Sequence, residues 1–348
     1  MGAGKLRTGL LGLDRRGQLL LKALAQIDAF ELVAIADRDA AVAAKLADQY
    51  RCTSFDDYRQ FIIQNSFDCL IVCAGLHSCL EHVRMAVKQK SHILKWAPMA
   101  RTFAEAAELA ALAATGQIRF DVANPLRYCD RFYPIRQRLS DKSMDRPFLV
   151  RAFWDGGRLA GTVDSHAAWM TDRELAGGGV LLYDGYGLID HLIGGLGIPQ
   201  QIYCLSRSHT SDKAIPYLAE TVAVLSVRFG DGVLAELVLM RHWDDLAGCR
   251  QVTLYAKGEV LTAECRQSGV CNHGSQAVER MEPGCDEMEM VLRLLTDYAG
   301  SLLSPDDHPF ASDTKENLQV MAVIEAAYIS AQTGTPESPA RLLERAGL

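Results

Sequence analysis

Short apolar runs alternate with helix-period stretches through the first 125 residues of the chain. LRTGLLGL (6–13) predicts a buried strand, Gln18–Ile27 carries leucines at helical spacing, and FELVAIAD (30–37) predicts the next strand. An alanine-rich helix follows over about 40–50. Then come FDCLIVCA (67–74), a helix from about Leu80 to Lys88, SHILKWA (91–97), an alanine helix at 103–115 and IRFDVA (118–123). Strands that are apolar on both faces and separated by helices predict a parallel sheet covered on each side. Residues 1–124 therefore read as a doubly wound Rossmann domain of the α/β class.

After Arg127 the pattern changes. A helix at about 131–139 leads to FLVRAFW (148–154), and a glycine-rich helix starts at Gly177. TVAVLSVRF (221–229) and VLAELVLMR (233–241) are joined through Gly230-Asp231-Gly232, a hairpin signal, and QVTLYAK (251–257) and EVLTAEC (259–265) turn at Gly258. Residues 267–284 are polar and unpatterned, and helices close the chain near 286–303 and 313–332. Residues 125–348 thus predict an α+β domain with an open, mostly antiparallel sheet.

At 348 residues and 49% hydrophobic side chains, two domains are expected. The balance of 43 acidic against 36 basic residues, a formal charge of −7, argues against nucleic acid as a partner. No apolar run nears the roughly 20 residues that span a bilayer, so no membrane partner is expected. MGAGKLRTGL lacks the apolar core of a secretory signal, and Leu6 stands where myristoylation wants Ser or Thr, so a cytoplasmic location is expected. The ten cysteines include no Cys-x-x-Cys and are expected reduced, as small hydrophobes. Cys265, Cys271, His273 and Cys285 are the one group that merits a zinc test, and their spacing fits no zinc template; no metal is expected.

The chemistry starts at Gly12-Leu13-Asp14-Arg15-Arg16-Gly17, which follows the first strand and opens the first helix. It is a G-x-G-x-x-G turn with Asp14 in place of the second glycine. Asp37 ends the second strand, where a carboxylate takes ribose hydroxyls. NAD is the expected cofactor, and neighbouring Arg38 leaves some room for the 2′-phosphate of NADP. Asp14 opposes pyrophosphate: two unit charges about 4 Å apart at an effective dielectric of about 20 repel by roughly 4 kcal/mol, before screening. Arg15 and Arg16 are placed to offset it, by pairing with Asp14 or by meeting phosphate. The other reading is a turn that survives without its dinucleotide.

ELVAIADRD (31–39), FDCLIVCAG (67–75), HILKWAPMARTFAEAAEL (92–109), Arg127-Tyr128, GGGVLLYDGYGLIDHL (177–192), ETVAVLSVRFGDGVLAEL (220–237) and AAYISAQTG (326–334) occur in an order that resembles the Gfo/Idh/MocA family (glucose–fructose oxidoreductase, inositol dehydrogenase, rhizopine catabolism). The resemblance implies a two-domain, often oligomeric enzyme that moves hydride between a nicotinamide and a sugar, polyol or related alcohol. It places Ala74, Gly75 and Trp96 beside the cofactor with Gly12, Leu13, Asp14, Arg16, Gly17, Asp37 and Arg38, and it implies a homo-oligomer through the C-terminal sheet.

The departures from that family fall on the acid–base groups. Its Glu-Lys-Pro is Trp96-Ala97-Pro98 here, so the lysine is absent. In the helix after the glycine block its Asp is Tyr183 and its His is Gly187, while its final Asp remains as Asp190; the histidine after the fourth strand falls on Cys79. Lys95, two positions before Ala97 on the same strand face, is the substitute amine, against the alternative of a lysine reaching solvent from a strand end. Tyr186 is the substitute for the histidine, against core packing. Asp184, Asp190 and His191 share the helix start, where capping or a solvated charge competes with a catalytic role; Tyr183, at the position of the family's Asp, is a further catalytic candidate, and His77 and His166 are weaker ones. Two functions stay open: an NAD(P)-dependent oxidoreductase with a rebuilt site, and a member that keeps the fold for ligand binding or assembly without catalysis.

Overall fold

The computed structural model describes residues 4–141, 145–158, 169, 172–208, 219–242, 248–266 and 286–347. The chain divides into two compact units, one of Met1–Tyr128, Glu174–Gly177 and Glu287–Met321, the other of Cys129–Arg173, Gly178–Asp286 and Ala322–Leu348.

The first unit is built on six parallel strands: β1 (Leu6–Leu11), β2 (Phe30–Ala36), β3 (Thr53–Phe55), β4 (Cys69–Val72), β5 (His92–Trp96) and β6 (Phe120–Ala123). Their order is β3-β2-β1-β4-β5-β6. The chain winds outward from β1 to β3, then returns to β4 on the other side of β1. That reversal opens a crevice beyond the carboxyl ends of β1 and β4, the place where such sheets take ligands. β1 stops at Leu11 because Gly12 turns with φ +95°. Asp14, Asp39 and Thr102 cap the helices Arg15–Leu24, Ala40–Tyr50 and Phe103–Gly116 through their side-chain oxygens. Neither β3 nor the helix Tyr58–Ile63 was legible in the pattern. Three strand residues hold no apolar run, and six helical residues span less than two turns.

The sequence pattern places a single boundary at 124/125, yet the helix Glu287–Leu303 belongs to the first unit. Its apolar stripe Val291, Leu294, Leu295 and Tyr298 joins the core of Leu20, Leu24, Ile71 and Leu94. Burial of that stripe outweighs its distance along the chain, at roughly 1.5–3 kcal/mol per large apolar side chain.

The second unit holds β7 (Leu149–Arg158), β8 (Gln201–Arg207), β9 (Val222–Arg228), β10 (Leu234–His242), β11 (Cys249–Ala256) and β12 (Glu259–Arg266), in the order β12-β11-β7-β10-β9-β8. All neighbours are antiparallel except β7 and β10. The β9–β10 turn uses Asp231 (φ 59°) and Gly232 (φ 79°), and the β11–β12 turn uses Gly258 (φ 74°). One sheet face is buried through Ile202, Leu225, Leu237, Ala152, Trp154 and Val252. Against it packs the helix Gly185–Leu196, whose Ile189, Leu192 and Ile193 border a small apolar void with Leu225, Val227 and Leu237. The register aligns Leu205, Val224, Val238 and Phe153 across the opposite face, where Leu205, Val224 and Phe153 are exposed. The last helix, Pro339–Arg345, was not anticipated.

Cys52, Cys69, Cys73, Cys79, Cys204 and Cys249 are free thiols, but Cys129 is disulfide-bonded, which corrects the expectation of uniformly reduced cysteines. Pairing depends on which segments the fold brings within sulfur–sulfur reach, and spacing along the chain carries no such information. Among the described residues no group of His, Cys, Asp and Glu could hold a metal ion. Cys271, His273, Cys285 and the side chain of Cys265, like His166, lie outside them. No described helix is long and apolar enough to cross a membrane.

Candidate functional site

The turn at the head of the first helix is shaped by what it excludes. A Cβ on Gly12 would sit 2.8 Å from the Ala74 nitrogen, and one on Gly17 would sit 2.0 Å from the Gly12 oxygen. Both glycines are therefore required by the backbone itself. Leu13 turns its side chain into the core and donates its amide N–H to Asp37 Oδ2 at 2.6 Å. Asp37 Oδ1 accepts from the Asp39 amide at 3.0 Å, so this carboxylate ties the end of β2 to the glycine turn. Each oxygen retains a lone pair for a further donor.

Asp14 occupies the head of the helix. Its Oδ1 accepts from the amides of Arg16 and Gly17, each at 3.0 Å, and the Cys73 thiol lies 3.5 Å away. A helix N-terminus is where amides receive an anion, and here the chain supplies the anion itself. Neither guanidinium forms the pair with Asp14 that the sequence suggested for Arg15 and Arg16: Arg15 bonds Glu287, and Arg16 meets Asp14 through its backbone amide. Arg38 Nη2 meets His77 Nε2 at 3.2 Å. Burial, then Arg38 and Arg101, hold His77 below its usual pKa. Ala74 and Gly75 lead into a short 3₁₀ turn, Leu76–Ser78, at the end of β4.

Lys95 does not reach solvent. It is 3% exposed, and its Nζ donates to the Trp96 carbonyl at 2.8 Å. Burial lowers its pKa, against the opposing pull of Cys79 and Cys73; Arg16 lowers it further and Asp14 raises it. Cys79 lies nearby at the head of the helix Cys79–Lys88, with its thiol pushed up to about 11 by burial. Trp96 packs into the core of the first unit with Leu94 and Ala123.

In the second unit the glycine block opens two short helices, Val180–Tyr183 and Gly185–Leu196. Tyr186 is 1% exposed and Asp190 and His191 are also buried, so neither of the last two is a solvated charge at a helix start. Tyr183 is half-buried, its ring 6.3 Å from that of Trp169. Asp184 makes no capping bond; its carboxylate grips Arg241 of β10 in two-point contact, at 2.6 Å to Nε and 2.9 Å to Nη2. Gly156 of β7 makes room for that pair, since a Cβ there would lie 2.9 Å from both partners.

Sequence reasoning missed Glu220, Arg241 and Tyr328. Glu220 had one signal, an acidic residue directly ahead of an apolar strand. Tyr328 lies in the stretch AAYISAQTG (326–334), which carried the resemblance but no role, and Arg241 near the end of β10 has no pattern that marks it.

Residues 6–123 match the family model described as "Oxidoreductase family, NAD-binding Rossmann fold", the Gfo/Idh/MocA model. No curated protein sequence matches. Solved structures share the fold along nearly the whole chain. The WlbA dehydrogenase of Bordetella pertussis, in complex with NADH and UDP-GlcNAcA, superposes with a TM-score of 0.80 at 18% identity, covering 96% of this chain and 99% of that one. Myo-inositol 2-dehydrogenase of Lactobacillus plantarum gives 0.79 at 17%, covering 96% and 99%. GenD2 of gentamicin A biosynthesis, in complex with NAD, gives 0.81 at 17%, covering 97% of each chain.

Proposed function

We propose, from the place of residues 6–123 in the Gfo/Idh/MocA oxidoreductase family, that this chain is an NAD-dependent oxidoreductase acting on a sugar, polyol or related alcohol through a rebuilt acid–base site. The observation that carries the reading is the pairing of a turn that keeps its first and third glycines with a buried amine. Gly12 and Gly17 keep the backbone that cradles a dinucleotide, and Lys95 lies at the carboxyl end of β5 with a depressed pKa. Bound NAD supplies the hydride acceptor. Gly12, Gly17, Leu13, Ala74 and Gly75 would line its seat, Asp37 would accept the ribose hydroxyls, and Arg38 would border the adenosine end. Asp14 is the one residue that does not fit, because its carboxylate holds two amides suited to pyrophosphate.

Oxidation of an alcohol needs a base for the hydroxyl proton, and a buried lysine of lowered pKa is neutral over more of the pH range than an exposed one. Lys95 takes that role in our reading. Tyr186 is the second residue we propose for proton transfer, and Tyr183, Asp184 and Asp190 are the further catalytic candidates of its helix start. The carboxylate of Asp37 discriminates between cofactors, since it would repel a 2′-phosphate. Calorimetry is expected to show NAD binding about tenfold or more tighter than NADP, a difference of about 1.4 kcal/mol. Tighter NADP binding, or no binding of either at millimolar concentration, overturns the cofactor reading.

The non-catalytic alternative, fold retained for ligand binding or assembly, draws on the absent family lysine and histidine. It forecasts NAD binding with no turnover over a polyol panel.

The exposed face of the second sheet fits a second copy of this chain. Leu205, Val224 and Phe153 run across it beside an Arg151–Glu236 ion pair at 2.7 Å, an arrangement that can meet its own two-fold image. Phe153→Glu with Val224→Glu is expected to halve the mass measured by light scattering. An unchanged mass rejects this interface.

A further inference from the structure

Four features of the second unit converge on the start of the glycine-block helix. Glu220 is 6% exposed, and its Oε1 accepts from the Gly179 amide at 2.9 Å, the Leu181 amide at 3.0 Å and the Tyr328 hydroxyl at 2.8 Å. The Glu220 backbone carbonyl accepts from Val180 at 3.0 Å, so this one residue takes three consecutive amides of the turn. The glycines permit the approach: a Cβ on Gly178 would lie 1.9 Å from the Tyr328 hydroxyl oxygen, and one on Gly179 would lie 1.9 Å from the Glu220 carbonyl oxygen. On its far side Tyr328 is braced by the guanidinium of Arg173, 5.6 Å from the ring centre.

We infer that Glu220, held by Tyr328, is a positioning residue that fixes the helix start carrying Tyr183, Asp184 and Tyr186. The inference rests on the oxidoreductase reading for its effect on turnover, and on geometry alone for its effect on the helix. A carboxylate at the head of a helix binds orphan amides with charge-assisted strength. Burial pushes the Glu220 carboxyl up, while Tyr328 and the Leu181 and Gly179 amides pull it back down. Burial prevails and the carboxyl stays raised; besides Glu220's own amide, its donors are the amides of the element it orients and the Tyr328 brace. The Gly-Gly-Gly run is thereby explained: two of its three members have no room for a side chain because Glu220 and Tyr328 stand there.

The test compares Glu220→Ala, Glu220→Gln and Tyr328→Phe in the full chain. Glu220→Ala is expected to lower kcat on a reactive polyol about 10- to 100-fold, the scale of a small misplacement of reacting groups, with NAD affinity unchanged. Glu220→Gln, whose amide oxygen still accepts from both backbone N–H groups, is expected to restore most of that loss, and Tyr328→Phe to fall between. Hydrogen exchange of the Gly179 and Leu181 amides is expected to quicken in Glu220→Ala and to remain near wild type in Glu220→Gln. Full kcat in Glu220→Ala, or unaltered exchange at both amides, overturns the assignment. If the wild-type chain binds NAD but turns over nothing, the enzyme reading fails by itself, and the exchange measurement still decides the role of Glu220. Should Glu220→Ala fail to fold, the graded effect of Tyr328→Phe on the same two amides decides it.

Discussion

Lys95→Met is expected to abolish most turnover, by at least about 10²-fold in kcat, while leaving NAD affinity close to wild type. The amine is buried with one carbonyl partner, and burial depresses its pKa. As a base for alcohol oxidation it works in the neutral form, so kcat/KM is expected to rise with pH through that lowered value, and the limb to vanish in Lys95→Met. The same residue should oppose folding. Its folded pKa lies below the unfolded value of about 10.4, so the unfolded chain binds the extra proton. The cost grows as pH falls below the unfolded value and is complete below the folded one. Methionine keeps the volume and removes the amine, so Lys95→Met is expected to melt a few degrees higher at neutral pH. A variant that loses turnover and gains stability marks a group kept for chemistry. Full turnover in both Lys95→Met and Tyr186→Phe sinks the catalytic assignment. Activity created by Ala97→Lys with Gly187→His, in a chain otherwise inert, establishes the non-catalytic alternative.

Asp14→Gly is expected to tighten NAD binding by about tenfold or more, equivalent to about 1.4 kcal/mol. The substitution frees the Arg16 and Gly17 amides, each now bonded to Asp14 Oδ1, and removes a carboxylate from the place suited to pyrophosphate. The unscreened repulsion of roughly 4 kcal/mol is an upper bound, since the crevice is open to solvent and salt. Glycine is tolerated at a helix N-cap, so stability should fall by only a few tenths of a kcal/mol. Titration calorimetry of both proteins in one buffer checks this. Equal affinities mean that the pyrophosphate never meets those amides, and weaker binding by Asp14→Gly means that the self-cap preorganises the turn.

Periodicity made the two sheets legible. Runs apolar on both faces, as in β4, announce a covered parallel sheet, and the alternation of β9 and β10 with a Gly-Asp-Gly turn announces a hairpin, because both signals are local. The same locality exposed the glycine turn and the carboxylate twenty residues beyond it. Tertiary structure decided everything that depends on where side chains end. It buried Lys95 where a strand-end lysine was expected to snorkel, turned Asp14 onto the amides of its own helix, and gave Asp184 to Arg241 of a strand more than fifty residues away. It brought the helix Glu287–Leu303 back to the first unit and set Glu220 and Tyr328, 108 positions apart, on one glycine block. Each of these outcomes is a contact between distant segments, and its energy comes from burial and hydrogen bonding that exist only after the chain has closed.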